Sequence, residues 1–256
     1  MNKSTRLALL LSVSSVLGPN AATAATTGNR YGYPVLYQSD ISSAEAWRLA
    51  KPGAKSNDRH RRPVIIDVRR VEEYVAGHPV GAISIPFPHV TKSPASANDN
   101  GSSSGYIGYD ISVDPDVGFL ANDGKDGTLP ISDFVHYVES VVSDKETPIF
   151  LLCATGHRSV QAANALAKYG NYTHVRNIWE GYNGQPKYAY EGPKPKQVPS
   201  AADPSLLEFV QLDLNNDGKL DGLDRDGWAY FQALPTETKL KKKRLDFRFI
   251  DLYPLN

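Results

Sequence analysis

"PIFLLCATGHRSVQAANALAKYG" (residues 148–170) runs from a compact apolar stretch, through the only cysteine of the chain, into an Ala-rich segment. Ile149 to Leu152 form a short continuous apolar run behind a proline, the pattern of a strand buried on both faces. Val160, Ala163, Leu166 and Ala167 then recur at helical spacing from Ser159, with Gly170 as a stop. A strand followed at once by a helix is one βα unit, and similar units flank it. "PVIIDVR" (63–69) and "GAISIPF" (81–87) bracket a brief helix, "RVEEYVAG" (70–77), and "HVRNIW" (174–179) supplies another strand. Ser42 with Glu45 makes a capping box before "AEAWRLA" (44–50), and Ser132 stands as a cap before Phe134, Val135, Val138 and Val141. This alternation predicts an α/β fold: a parallel sheet with helices on both faces.

The chain has 256 residues, enough for a sizeable core, and 28 basic residues balance 28 acidic ones. Without a global field of either sign, nucleic acid is not an expected partner. Residues 1–24 read as a signal peptide: Lys3 and Arg6 precede an apolar stretch from Leu7 to Gly18, and Ala22-Thr23-Ala24 offers a small-x-small cleavage site. The apolar stretch falls short of the roughly 20 residues that span a bilayer. The expectation is an exported protein, periplasmic or secreted and not membrane-spanning. Oxidising compartments favour paired cysteines, so a lone Cys153 is either buried and inert or retained for chemistry that needs one thiol.

Two stretches interrupt the pattern. Residues 91–128, opening with "TKSPASANDNGSSSGYIGYD", read as a flexible insertion, either a lid or a tolerated surface excursion. Residues 186–203, rich in Pro, Gly and Lys, read as a linker or surface wrap before a small helical module at 204–256.

Cys153 stands at the C-terminal end of its strand, where open α/β sheets bind ligands. The loop Ala154, Thr155, Gly156, His157 can turn its amides toward the sulfur, with Gly156 permitting the tight turn and Ser159 at the helix start. The helix N-terminus and Arg158 add positive potential, which favours the nucleophilic thiolate. A small buried cysteine at a strand end is the competing reading.

"CATGHRS" (153–159) resembles the active loop of the rhodanese family, a cysteine and an arginine separated by four residues. "VIIDVRRVEEYVAGHPVGAISIPF" (64–87) is similar to that family's first signature, and "VRNIWEGYNG" (175–184) to its closing strand and turn, so the likeness covers about residues 35–185. The resemblance implies a sulfurtransferase. Cys153 would take sulfane sulfur from a small donor as a persulfide and pass it to a thiol acceptor, with Arg158 anchoring the loop and no organic cofactor. Asp67 and Arg69 would be supporting residues, and His78 a structural histidine. Ala154 stands where a cation is frequent in the family, and Glu180-Gly181 where a glycine pair is frequent. Cysteine phosphatases carry a longer loop. A non-catalytic rhodanese-fold module that binds a periplasmic partner in a calcium-dependent way is the alternative.

"DLNNDGKLDGLD" (213–224) places Asp213, Asn215, Asp217, the Lys219 carbonyl, Asp221 and Asp224 as oxygen ligands around Gly218. It resembles an EF-hand loop and implies Ca²⁺, with Asp224 replacing the usual glutamate. "SLLEFVQL" (205–212) and "GWAYFQAL" (227–234) read as its flanking helices, while a surface turn with coincidental carboxylates is the plain alternative. "KLKKKR" (239–244) reads as a solvated helix face or a contact to an anionic surface.

Overall fold

The computed structural model describes residues 31–54, 62–92, 106–118 and 127–255. The proposed signal peptide lies outside them.

Five short strands form the central parallel sheet: β1 (Ser39–Ile41), β2 (Val64–Asp67), β4 (Ile83–Ser84), β8 (Ile149–Leu152) and β9 (Val175–Ile178), in the order β1-β9-β8-β2-β4. All four pairings are parallel. Every residue of β8 is buried, which is why its sequence is a continuous apolar run and not an alternation. Four helices flank the sheet: α1 (Ser43–Ala50), α2 (Val71–Ala76), α3 (Ile131–Val141) and α4 (His157–Gly170). Ser42 caps α1 by accepting the Glu45 amide. Pro130, not Ser132, stands at the N-cap of α3; a fixed φ already suited to a helix start competes well with a hydroxyl cap. The chain leaves β2 toward β4 on one side of the sheet and β8 toward β9 on the other. That reversal opens a crevice at the carboxyl ends of β2 and β8.

The two-residue strand β3 (His78–Pro79) precedes β4, and between β4 and α3 come β5 (His89–Lys92), β6 (Tyr106–Tyr109) and β7 (Gly127–Leu129), a small separate sheet. The described part of the insertion is therefore ordered. Tyr109 packs its ring against Phe87 and Phe134, Ile111 and Val117 are buried, and Lys168 of α4 pairs with Asp114 and Asp116. Apolar anchors hidden in a Ser/Gly-rich context make the difference from the expected excursion. Residues 93–105 and 119–126 lie outside the described set.

The C-terminal third departs most from expectation. Residues 186–203 carry short exposed strands. β10 (Tyr190–Glu191) pairs with β11 (Lys194–Pro195), and β12 (Gln197–Pro199) pairs with β13 (Leu207–Phe209). The predicted helix at 205–212 is thus partly a strand, and 227–234 folds as turns. Cross-strand pairing and burial of Trp228 override the helical spacing of both segments. No α-helix follows Gly170 among the described residues. The tail returns to the core: β14 (Thr236–Glu237) pairs with β3, and Trp228 is fully buried, edge-on to Trp47 at 6.0 Å. Tyr253, also buried, meets Ser84 at 2.8 Å. No helix among the described residues is long and apolar enough to cross a membrane.

Candidate functional site

Cys153 follows the last residue of β8, is 1% exposed and is unpaired. The Gly156 amide donates to its Sγ at 3.1 Å. The Ser159 hydroxyl lies 3.4 Å from Sγ and 3.1 Å from the Gly156 carbonyl, so its single proton serves one of them at a time. Gly156 holds φ +94° at the N-cap of α4. A Cβ there would lie 2.0 Å from the Tyr31 hydroxyl and 2.4 Å from the Trp179 carbonyl, so the position requires glycine on two counts.

The carbonyls of Cys153, Ala154 and Thr155 are occupied from outside the loop. Tyr182 N–H donates to Cys153 O at 2.7 Å, and Asn183 N–H to Ala154 O at 2.8 Å. The Tyr31 hydroxyl at 2.7 Å and the Gln185 amide at 3.1 Å both reach Thr155 O. A peptide unit whose C=O is held outward turns its N–H inward, so the bonds to Thr155 O aim the Gly156 amide of the same peptide unit at the sulfur. Gly181, at φ +76°, lets the 181–185 segment press so close that a Cβ would sit 2.6 Å from the Ala154 carbonyl carbon. Behind that segment lies the tail: Trp228 N–H donates to Gly181 O at 3.0 Å, and Ala229 N–H to Tyr182 O at 3.0 Å.

Arg158 does not lie free. Its guanidinium makes a bidentate pair with Glu73 of α2, at 2.7 and 2.9 Å. Burial pushes the Glu73 carboxyl up, but the hydrogen bonds and charge of Arg158, helped by Arg70, outweigh it and hold it at about 2. Glu73 escapes sequence reasoning because it sits three residues after Arg70, where it reads as a capping partner, and it does bond there too. The aromatic wall of Tyr31 and Tyr33 is also absent from the sequence reading. Tyr31 packs at 4.1 Å, tilted by 52°, against the exposed His157, with Tyr33 edge-on at 6.3 Å. Burial raises the Tyr33 phenol above its ordinary value, and the charge of Cys153 adds to the rise. A cavity of about 220 Å³ opens beside the loop, bordered by Tyr33, His89, Ile111, His157, Arg158 and Gln161. Ile111 brings the described part of the insertion to the rim of the site.

Asp67 and Arg69 form a buried bidentate pair at the end of β2. Arg69 also donates to Gly77 O at 2.6 Å, and its guanidinium lies 3.7 Å from the centre of the Tyr182 ring. The pair reaches the loop through Tyr182. His78 is buried, stacks on Tyr74 at 3.7 Å and bonds Tyr74 O at 3.0 Å. Burial pushes its imidazole down, against the Tyr74 hydrogen bond. Glu180 takes the Ser43 amide at 2.6 Å, tying the turn to the start of α1.

The acidic loop is built differently. Asp213 accepts the Gly218 and Asp217 amides, Asn215 the Asp217 amide, and Asp217 the Lys219 amide. Asp221 accepts the Leu223 amide, while Asp224 takes those of Leu214 and Asp221. These oxygens serve the loop's own backbone. Among the described residues no three His, Cys, Asp or Glu side chains gather as a metal cage. Among the described residues no helix flanks the loop, so the flanking helices expected at 205–212 and 227–234 are absent.

A family model described as "Rhodanese-like domain" matches residues 52–185, more than half of the chain. No curated protein matches significantly. A solved crystal structure of Rv0390 from M. tuberculosis is similar at 16% identity, covering 79% of this chain and 99% of that one, with a TM-score of 0.39. A likeness that low has no bearing on the site.

Proposed function

The chain belongs to the rhodanese-like family, and from that premise we propose that it is a sulfurtransferase with Cys153 as the sulfur carrier. The observation that supports this reading best is the buried Sγ facing the Gly156 amide in a loop whose carbonyls are tied outward. The Cys153 thiolate attacks the outer sulfur of a sulfane donor. A new S–S bond forms, and the bond between that sulfur and the rest of the donor breaks, the leaving group departing with the electron pair. An acceptor thiolate then attacks the terminal sulfur and releases Cys153 as thiolate. The Gly156 amide, already aimed at the sulfur, stabilises the anionic persulfide without reorganising. Glu73 neutralises Arg158 and Ala154 brings no charge, so a donor meets less positive potential than the loop sequence suggests.

That same neutralisation favours a second reading, a non-catalytic module that docks a partner at the loop. Mass spectrometry of protein incubated with thiosulfate, and separately with an organic persulfide, decides between them. A gain of one sulfur atom on Cys153, absent in Cys153→Ser, is expected; an unmodified thiol after both donors sinks the enzyme.

Export and calcium belong to this proposal as well. Cleavage after Ala24 is checked by N-terminal sequencing of the mature protein. Calcium rests on the ligand pattern of residues 213–224. A carboxylate that accepts an amide keeps lone pairs for a cation, so an ion can bind alongside the loop's turns, and the affinity expected is in the millimolar range of extracellular modules. Millimolar calcium should then raise the melting temperature reversibly by a few degrees; no shift identifies a plain turn.

A further inference from the structure

The basic run 239–244 is not a helix face. Lys242–Arg244 form a single 3-10 turn, and Lys241, Lys243 and Arg244 border a cavity of about 610 Å³ together with Arg62. The floor is apolar, with Pro63, Ile65, Val80 and Ile83 among its residues. Because Val64 opens β2 and Ile83 opens β4, the cavity lies at the amino ends of the parallel strands. Cys153 lies at their carboxyl ends, so the two sites occupy opposite edges of the sheet.

Among the described residues no carboxylate lines this cavity. Glu237, which bonds two of the cations, is consumed by the Gly81 amide at 3.0 Å, Lys241 at 2.8 Å and Arg244 at 3.0 Å. Glu237 thereby fixes two of the cations without cancelling all four. Among the described residues, Arg62 spends Nε and Nη2 on the Ala50 carbonyl and Nη1 on nothing further, and Lys243 has no ion pair. Four positive groups above an apolar floor, in a chain whose net charge is zero, form a local field with a shape to match. The volume falls within the roughly 300–1,000 Å³ usual for small-molecule sites.

We propose that this cavity binds a small amphiphilic anion, with its apolar body on Ile65, Val80 and Ile83 and its anionic head held by Arg62, Lys241, Lys243 and Arg244. The site exists only when the tail is docked, because β14 must pair with β3 to bring Lys241 and Arg244 over Gly81. An occupant therefore ties the tail to the sheet and stabilises the folded chain by linkage.

Calorimetry on the full chain with n-octyl sulfate, below its micellar concentration, tests the proposal. One site per chain is expected, with affinity at least about tenfold above that for octyl glucoside, which shares the tail, and for inorganic sulfate, which shares the head. Lys243→Glu and Arg62→Glu should each weaken octyl sulfate at least about tenfold while keeping the wild-type melt, and Lys196→Glu should leave it unchanged. Equal binding of octyl glucoside, of inorganic sulfate or to the Lys243→Glu chain overturns it. So does attachment to anionic phospholipid vesicles without binding of monomeric octyl sulfate, which would assign the basic turn to a lipid surface. None of these measurements depends on sulfur transfer.

Discussion

The cysteine loop and the acidic loop look alike as sequences, since each sets polar ligands around a glycine turn, but they are held in opposite ways. Around Cys153 the bonds come from far along the chain: Tyr31 reaches across 124 residues to Thr155, and Glu73 across 85 to Arg158. In the acidic loop the Asp213, Asn215 and Asp217 oxygens bind amides two to five residues away. Only Asp224 closes a longer span, of ten residues, to Leu214. Distant contacts pull carbonyls outward and leave an amide facing a guest. Local turns orient the would-be ligands through neighbouring amides alone. Preorganisation in the first loop is thus a property of the whole fold, whereas the second is a self-contained knot.

The contrast is sharpest at its glycines. Gly156→Ala and Gly181→Ala each drive a Cβ into backbone or side-chain atoms at 2.0 to 2.6 Å from a left-handed conformation. Each should cost about 3 kcal/mol or more in urea denaturation, and whatever folds should fail to load sulfur.

Next in size is the ion pair that spans the site. The Glu73 carboxyl is held down, at about 2 against an ordinary 4.5, so its contribution is present above pH 4.5 and is lost as the pH falls toward 2. Over that window the wild type should lose about 3 kcal/mol more stability than Glu73→Gln. Parallel acid titrations of stability for both chains would show that Arg158 is not anchored there.

The smallest effect belongs to the acidic loop. Gly218 also has a positive φ, +81°, yet a Cβ would meet nothing within 4 Å. Gly218→Ala should therefore cost only about 1 kcal/mol, the price of the backbone conformation alone. A cost equal to that of Gly181→Ala would erase the difference between the loops.

Much of the central domain was legible in residues 63–69, 148–153 and 174–179, because buried parallel strands are continuous apolar runs bounded by turn signals. The sulfur loop was legible for a similar reason, its cysteine, glycine and arginine lying within a few residues of one another. Glu73 was not, since its nearest partner in sequence, Arg70, masks its longer-range partner. Tyr31 and Tyr33 carry no local signal at all. The C-terminal segments misled because Leu206, Leu207, Phe209 and Leu212 suggest a buried helical face, while the fold leaves all four exposed. Gly227 shows why the next segment is not a helix either. It crosses Gly184 so closely that a Cβ on Gly227 would lie 2.2 Å from the Gly184 nitrogen, and that crossing sends Trp228 into the core.

By itself, the sequence determined the strand and helix alternation, the place of Cys153 at a strand end, and the family to which the chain belongs. These are written in short-range hydrophobic period and turn chemistry, which need no knowledge of distant partners. Only the tertiary structure decided which way the loop's amides face, that Arg158 is neutralised by Glu73, and that the tail is part of the core and brings a basic turn over an apolar cavity. Those outcomes depend on which buried surfaces meet, and apolar burial is non-directional, so no local pattern specifies them.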